Sequence, residues 1–246
     1  MLRNDTKEER VGLMIDFKRP DGKQCAGYYA EPENGSKAPG IVVIQEWWGL
    51  NDQIKGVADR LTQTGYRTLV PDLYRGKVAL EANEAEHLMK GLNFGDAAGQ
   101  DIRGAVQYLK QSSPRAAVMG YCMGGALTIL SSAFVKEADA AVCWYGVPPL
   151  EYVDANAIRI PVLGHFATED VAFPPSQVEG LESKLKQANV NYEFHWYKAK
   201  HAFANENNKD PNSFIAYNDE AARLAWQRTL DFLRKGIAAN YASSAS

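Results

Sequence analysis

The sequence predicts an α/β protein: a mostly parallel sheet covered by helices on both faces, entered through an N-terminal β-hairpin. Three observations support this. Short continuous apolar runs such as Gly40-Ile-Val-Val-Ile-Gln45 have the pattern of parallel strands buried on both faces. Segments with apolar residues at helical spacing separate those runs, so strands and helices alternate. No internal repeat or low-complexity linker divides the 246 residues. One domain over 11–236 is expected, with flexible ends at 1–10 and 237–246.

The elements follow in order. Val11 to Phe17 and Gln24 to Ala30 read as the hairpin, joined by the turn signal Pro20-Asp21-Gly22. The apolar run from Gly40 leads into Glu46-Trp47-Trp48-Gly49, an unusual place for a carboxylate and two indoles. Ile54, Val57, Ala58 and Leu61 form one helical stripe after the capping pair Asn51-Asp52, and Gly65 closes that helix. Tyr66 to Val70 reads as a strand ended by Pro71-Asp72. Leu80 to Leu92 is helix-prone with a weak pattern. A firmer helix has Asp96 as its expected cap and Ile102, Ala105, Val106 and Leu109 as its stripe.

Arg115 to Met119 is the next strand, followed by a helix over Ala126 to Val135. Ala138 to Tyr145 and Ile158 to Ala167 are two more strands. Val178, Leu181, Leu185 and Ala188 mark a helix, and Tyr192 to Tyr197 a strand. The last helix runs from about Asp219 to Leu233, with Gly236 as its stop.

Composition narrows the function. A net charge of -3 with both signs mixed, and no basic stripe, argues against nucleic-acid binding. No apolar run approaches the roughly 18 residues of a membrane span. The start lacks the apolar core of a signal peptide. Three cysteines, with no Cys-x-x-Cys pair, fit a reducing compartment, so a cytoplasmic protein is expected. Four scattered histidines give no metal-ligand spacing, and no glycine-rich phosphate loop is present. Neither metal nor cofactor is expected.

The stretch that organises the rest is Met119-Gly-Tyr-Cys-Met-Gly-Gly125. Strand, sharp turn, helix is the setting in which Gly-x-nucleophile-x-Gly forms a nucleophile elbow. Glycines at 120 and 124 suit a turn that would crowd a Cβ. Cys122 at its tip would sit over a helix N-terminus, whose dipole favours the thiolate. Ligands of a parallel sheet bind beyond the carboxyl ends of its strands. The polar residues directly following strands are Glu46, Cys122, Asp170 and His201. A thiol needs a base, and an imidazole needs an acceptor to fix its tautomer. Cys122, His201 and Asp170 supply one candidate for each role, in the chain order nucleophile, acid, histidine.

Competing residues have simpler readings. Glu169 is a rival acid, but as the neighbour of Asp170 it should point the other way. His165 and His195 lie in strands and read as structural, and His87 as solvent-facing. Cys25 and Cys143 lie in the hairpin and in a buried strand, and neither precedes a helix.

Gly120-Tyr-Cys122-Met-Gly124-Gly125, Gln45-Glu46-Trp-Trp-Gly49, Pro71-Asp72-Leu-Tyr74, Asp170 and His201-Ala-Phe203 together resemble the dienelactone hydrolase family. The motifs recur in order over about residues 11 to 235, and the cysteine elbow with an early glutamate is specific to that branch of the α/β-hydrolases. The resemblance implies the triad Cys122, Asp170 and His201, and a Glu46 that pairs with the resting thiol. It also implies an oxyanion hole from the backbone N–H groups of Met123 and Trp47. The reaction implied is acyl transfer from an ester or lactone to Cys122, then attack by water.

One departure bears on the substrate. Two residues beyond Phe203, where family members that cleave dienelactones carry a carboxylate-binding arginine, stands Asn205. A second arginine of those members has no clear match, and Arg75 is only a nearby candidate. Losing a bidentate clamp costs affinity for an anionic substrate. Trp47, Trp48 and Tyr74, with Phe203 and Asn205, are therefore expected to line a pocket for a neutral ester or lactone. The partner is a small molecule, and the protein a monomer or small homo-oligomer. The alternatives are a promiscuous hydrolase of other activated esters such as phosphotriesters, a non-catalytic ligand-binding protein of the same fold, and a thiol redox protein without an obvious resolving cysteine.

Overall fold

In the computed structural model, residues 11–238 are described. Their eight strands form one sheet in the order β1-β2-β4-β3-β5-β6-β7-β8. The hairpin of β1 (Leu13–Lys18) and β2 (Gln24–Ala30) is antiparallel and joins the rest by antiparallel pairing of β2 with β4 (Arg67–Pro71). From β4 onward the pairing is parallel, through β3 (Gly40–Ile44), β5 (Ala116–Tyr121), β6 (Ala140–Trp144), β7 (Val162–Ala167) and β8 (Tyr192–Tyr197). The mostly parallel sheet with its opening hairpin is the architecture expected.

Successive side chains of a strand point to opposite faces, and β3 shows why its sequence has no polar position. Val42 and Ile44 enter one core layer, with Ile102, Val106 and Leu127; Ile41 and Val43 enter the other, with Ile54, Leu61 and Ala225. Helices α1 (Asp52–Gln63) and α7 (Asp219–Leu233) cover the second face. The first is covered by α4 (Arg103–Lys110), α5 (Met123–Phe134) and α6 (Pro175–Gln187), numbered after α2 (Ala82–Gly91) and the short α3 (Phe94–Asp96). Among the described residues no helix is long and apolar enough to cross a membrane.

Four expectations need correction. Asp96 does not cap the fourth helical segment. Asn93 accepts from the Asp96 N–H, and the helix runs unbroken from α3 through a π-helical stretch, Ala97–Ile102, into α4. The Asp96 carboxylate is used instead by Arg19, at 2.9 and 3.0 Å. The strand expected from Ile158 starts at Val162, because Pro161 has no N–H to give to the ladder. The elbow helix starts at Met123, three residues before the apolar pattern shows it. Gly236 does not stop the last helix: a π-helical turn, Arg234–Ala238, carries it on and buries Ile237. The ends expected to be flexible, 1–10 and the rest of the tail, lie outside the described residues.

Candidate active site

Strand register brings the site together. Parallel pairing sets Ile44 beside Gly120, Tyr121 beside Trp144 and Ala167 beside Tyr197, so the loops after these strands open at one edge of the sheet. Glu46, Cys122, Tyr145, Asp170 and His201 all emerge there.

The elbow at Cys122 is tight. Its backbone is left-handed, with φ 55° and ψ -117°, a conformation that costs an L-residue energy and persists only where its surroundings enforce it. Enforcement comes from backbone contact on both sides. A Cβ on Gly120 would lie 2.1 Å from the carbonyl oxygen of Gly124, and one on Gly124 would lie 2.4 Å from that of Ile44. Cys122 donates its N–H to Trp144 at 2.9 Å and accepts from Ala126 at 3.0 Å, which starts α5. Tyr145 (φ 41°) and Ala202 (φ 55°), beside the site, are left-handed as well.

The side chains form one hydrogen-bonded line. Nε2 of His201 lies 3.1 Å from Sγ of Cys122, and Nδ1 lies 2.7 Å from Oδ2 of Asp170. The other oxygen of Asp170 accepts from the backbone N–H groups of Ala172 and Phe173, both at 2.8 Å, so the carboxylate both ends a turn and orients the ring. Glu169, the rival acid, is exposed. Burial pulls the pKa of His201 down, but the Cys122 sulfur and the Asp170 carboxylate outweigh it and push the imidazole up to about 10. Phe173 and Tyr145 pack against the ring, with centroids 5.5 and 5.4 Å away.

Glu46 does not pair with the thiol. The amide of Asn205 donates to Oε2 at 2.6 Å, and the Tyr145 hydroxyl donates to Oε1 at 3.4 Å. Burial raises the Glu46 pKa, so the carboxyl is held towards its neutral form, against the hydrogen bond from Asn205. Cys122 therefore meets His201, not Glu46, because Asn205 and Tyr145 have taken the glutamate's oxygens.

Three of the residues expected in a substrate pocket are placed elsewhere. Asn205 is 2% exposed and committed to Glu46. Phe203 is fully buried among Trp144, Tyr145 and Tyr197, a core residue of the layer that carries α7. Tyr74 is buried with its hydroxyl on the sulfur of Met123 at 3.3 Å. Trp47 and Trp48 are half-buried and meet edge to face at 5.2 Å, and they remain available to a ligand. Arg75 is no clamp: it holds both oxygens of Asp101, at 2.8 and 2.9 Å. Tyr145 was missed altogether. It directly follows β6, which ends at Trp144, whereas the strand expected from the sequence ran on to Tyr145 and so hid it among strand residues.

Residues 25–237 match the pattern of the Dienelactone hydrolase family. The chain belongs to that family. It is 31% identical to Protein usf of Aquifex pyrophilus, over 92% of this chain and 99% of that protein. It is 30% identical to a Saccharolobus solfataricus protein named "Putative carboxymethylenebutenolidase", over 89% and 97% of the two chains. Among solved structures, one named "Putative Dienelactone Hydrolase" from Klebsiella pneumoniae superposes with a TM-score of 0.75 at 25% identity, over 89% of this chain and 97% of that one. As a member of the family the chain is an ester or lactone hydrolase of the α/β-hydrolase fold.

Proposed function

We propose that the protein hydrolyses neutral carboxylic esters or lactones through an acyl-enzyme on Cys122. The observation behind this reading is the line Asp170–His201–Cys122, with contacts of 2.7 and 3.1 Å at a strained elbow. The Cys122 sulfur attacks the acyl carbon as a thiolate, and the protonated His201 gives its proton to the departing alcohol oxygen. The neutral imidazole then takes a proton from water, which attacks the thioester and releases the acid and the thiol. Asp170 fixes the tautomer of His201 and favours its charged form.

The negative charge on the carbonyl oxygen needs donors. The first N–H groups of a helix have no acceptor within it, which suits the backbone of Met123 at the start of α5, and Trp47 is the partner assigned from the β3 loop. The role of Glu46 is electrostatic: a carboxyl kept near neutral does not oppose the charge developing beside it. A neutral substrate fits because Arg75 is occupied by Asp101 and position 205 holds an amide bound to Glu46. The three cysteines are free, with Cys25 and Cys143 buried, in keeping with a reducing, cytoplasmic setting.

The test is turnover of a chromogenic acetate ester by Cys122→Ala, with mass spectrometry of the native enzyme for an acylated Cys122. Abolished turnover and a transient adduct are expected; full activity in the variant would refute the mechanism. A panel of neutral and carboxylated lactones, aryl esters and phosphotriesters then ranks the substrates, with neutral acyl compounds expected first.

A further inference from the structure

The two edges of the sheet differ in what they offer to another chain. At the β8 edge, pairing with β7 fixes which backbone groups are already used. Val162 donates its N–H to Asn191 and Thr168 donates its own to Tyr197, both at 2.9 Å, so the odd-numbered residues of β8 face β7. The N–H and C=O groups of Tyr192, Phe194 and Trp196 therefore point outward, and none of them has a hydrogen bond among the described residues. Their side chains are aromatic, half-buried and on one face, where the Phe194 ring lies 5.1 Å from Tyr192 and 4.8 Å from Phe166. On the opposite face, the exposed Glu193 reaches the half-buried His195 at 2.5 Å. Neither lysine nor proline, which commonly guard an open edge, occurs within β8.

This pattern is complementary to itself. When a second β8 is laid antiparallel about a two-fold axis at Phe194, Phe194 faces its own copy and Tyr192 faces the partner's Trp196. Hydrogen-bonded pairs of an antiparallel ladder exchange both bonds, so every outward N–H and C=O of the edge gains a partner. The same register sets Glu193 of each copy opposite the partner's His195 and joins the two aromatic stripes into one. Moving the axis to Glu193 would oppose two carboxylates and leave Trp196 unpaired. The β1 edge offers no such match. Arg19 donates to Lys23 at 2.8 Å, which leaves Met14, Asp16 and Lys18 facing outward, and the same operation would set Asp16 against Asp16.

We propose that β8 is a dimerisation edge whose partner is a second copy of this chain, paired antiparallel about Phe194 so that one sheet runs through both. A two-fold contact of this kind is closed: it uses both β8 edges, leaves both β1 edges outside, and ends assembly at the dimer. The contacting strand has only six residues, which suits a reversible dimer and not an obligate one.

Sedimentation velocity of the full chain over about 1–100 µM tests this, and a species of twice the 27.2 kDa chain mass should grow with concentration. Glu193→Lys removes the acceptor that faces the partner's His195, and His195→Glu sets carboxylates opposite each other, so each should weaken the dimer by roughly tenfold. An equimolar mixture of the two variants should recover it, because the new lysine of one copy then faces the new glutamate of the other while Glu193 and His195 still pair. Tyr192→Pro, which removes an outward N–H and no bond within the sheet, should weaken the dimer as well. Circular dichroism checks that each variant stays folded. A protein monomeric over the whole range, a dimer indifferent to the charge variants or to the proline, or a mixture no more dimeric than its components would overturn the proposal.

Discussion

Two histidines of this sheet are buried to nearly the same degree and bonded at both ring nitrogens, yet burial leads them to opposite ends of the pH scale. His165, inside β7, has the Tyr197 hydroxyl at 2.9 Å on one nitrogen and the Thr229 hydroxyl at 2.8 Å on the other. His201, in the loop after β8, has the Asp170 carboxylate and the Cys122 sulfur. Desolvation depresses both. With only neutral partners, it wins at His165 and drives the pKa well below the usual 6.5; nearby His195 and Arg228 add to it. At His201 the Cys122 sulfur and the Asp170 carboxylate outweigh it, and the imidazole rises to about 10. Partner charge, and not burial, separates a structural histidine from one that can carry a proton in a reaction.

The sharpest way to break this contrast is to delete each ring. His201→Ala should lower ester turnover by at least roughly 10³-fold while the protein stays folded, since removing a triad member costs that order. His165→Phe should leave kcat within about twofold and instead lower stability by about 2 kcal/mol, because the Tyr197 and Thr229 hydroxyls lose their shared partner inside the core. Turnover and urea unfolding of the two variants measure both effects. Comparable losses of turnover from the two variants would show that the distinction is false.

The contrast was legible in the sequence because chain position encodes partner type. His165 sits in the middle of an apolar run and must end inside the sheet layer, whereas His201 follows a strand and so reaches the edge where ligands bind. The elbow was legible too, since the Gly120 and Gly124 contacts leave no room for a side chain. What stayed hidden depends on contacts between segments far apart in the chain. Nothing local to Asn205 announces that its amide reaches Glu46, a residue 159 positions away. Phe203 sits in a motif next to His201, but the left-handed turn at Ala202 sends its ring into the core. The early start of α5 was masked because Gly124 and Gly125 are poor helix formers kept helical by close backbone packing, a tertiary effect that overrides propensity.

A second comparison is by titration. In the unfolded chain both histidines titrate near the ordinary value of about 6.5. Below it, an unfolded chain takes a proton at position 165 that the folded state refuses, so the contribution of His165 to stability is full above about 6.5 and shrinks as the pH falls towards its depressed folded value. At position 201 both states are protonated below about 6.5, so its contribution is full there and is lost as the pH rises through the folded value of about 10. Imidazole resonances followed by NMR should show His201 protonated across the neutral range and His165 neutral throughout it. A His201 titrating near 6.5 would mean that Asp170 and Cys122 do not outweigh its burial.

The smallest expected effect concerns the residue that keeps a third acidic group out of this balance. Glu46 lies close enough to His201 for their charges to interact and shares Tyr145 with it as a neighbour, and its two oxygens are taken by Asn205 at 2.6 Å and Tyr145 at 3.4 Å. The shorter bond is the stronger restraint. Asn205→Ala should release Oε2, leave Tyr145 as the remaining tether, and let the carboxyl turn towards Cys122. A carboxyl that reaches the sulfur competes with His201 for it and lowers the fraction of thiolate. Alkylation of Cys122 by iodoacetamide in the free enzyme should then slow by about threefold, and Asn205→Ala combined with Glu46→Gln should restore most of the rate, because a neutral amide has no acid function to contribute. An unchanged rate in Asn205→Ala would mean that the elbow alone keeps the thiol on His201, and that the Asn205–Glu46 bond serves packing instead.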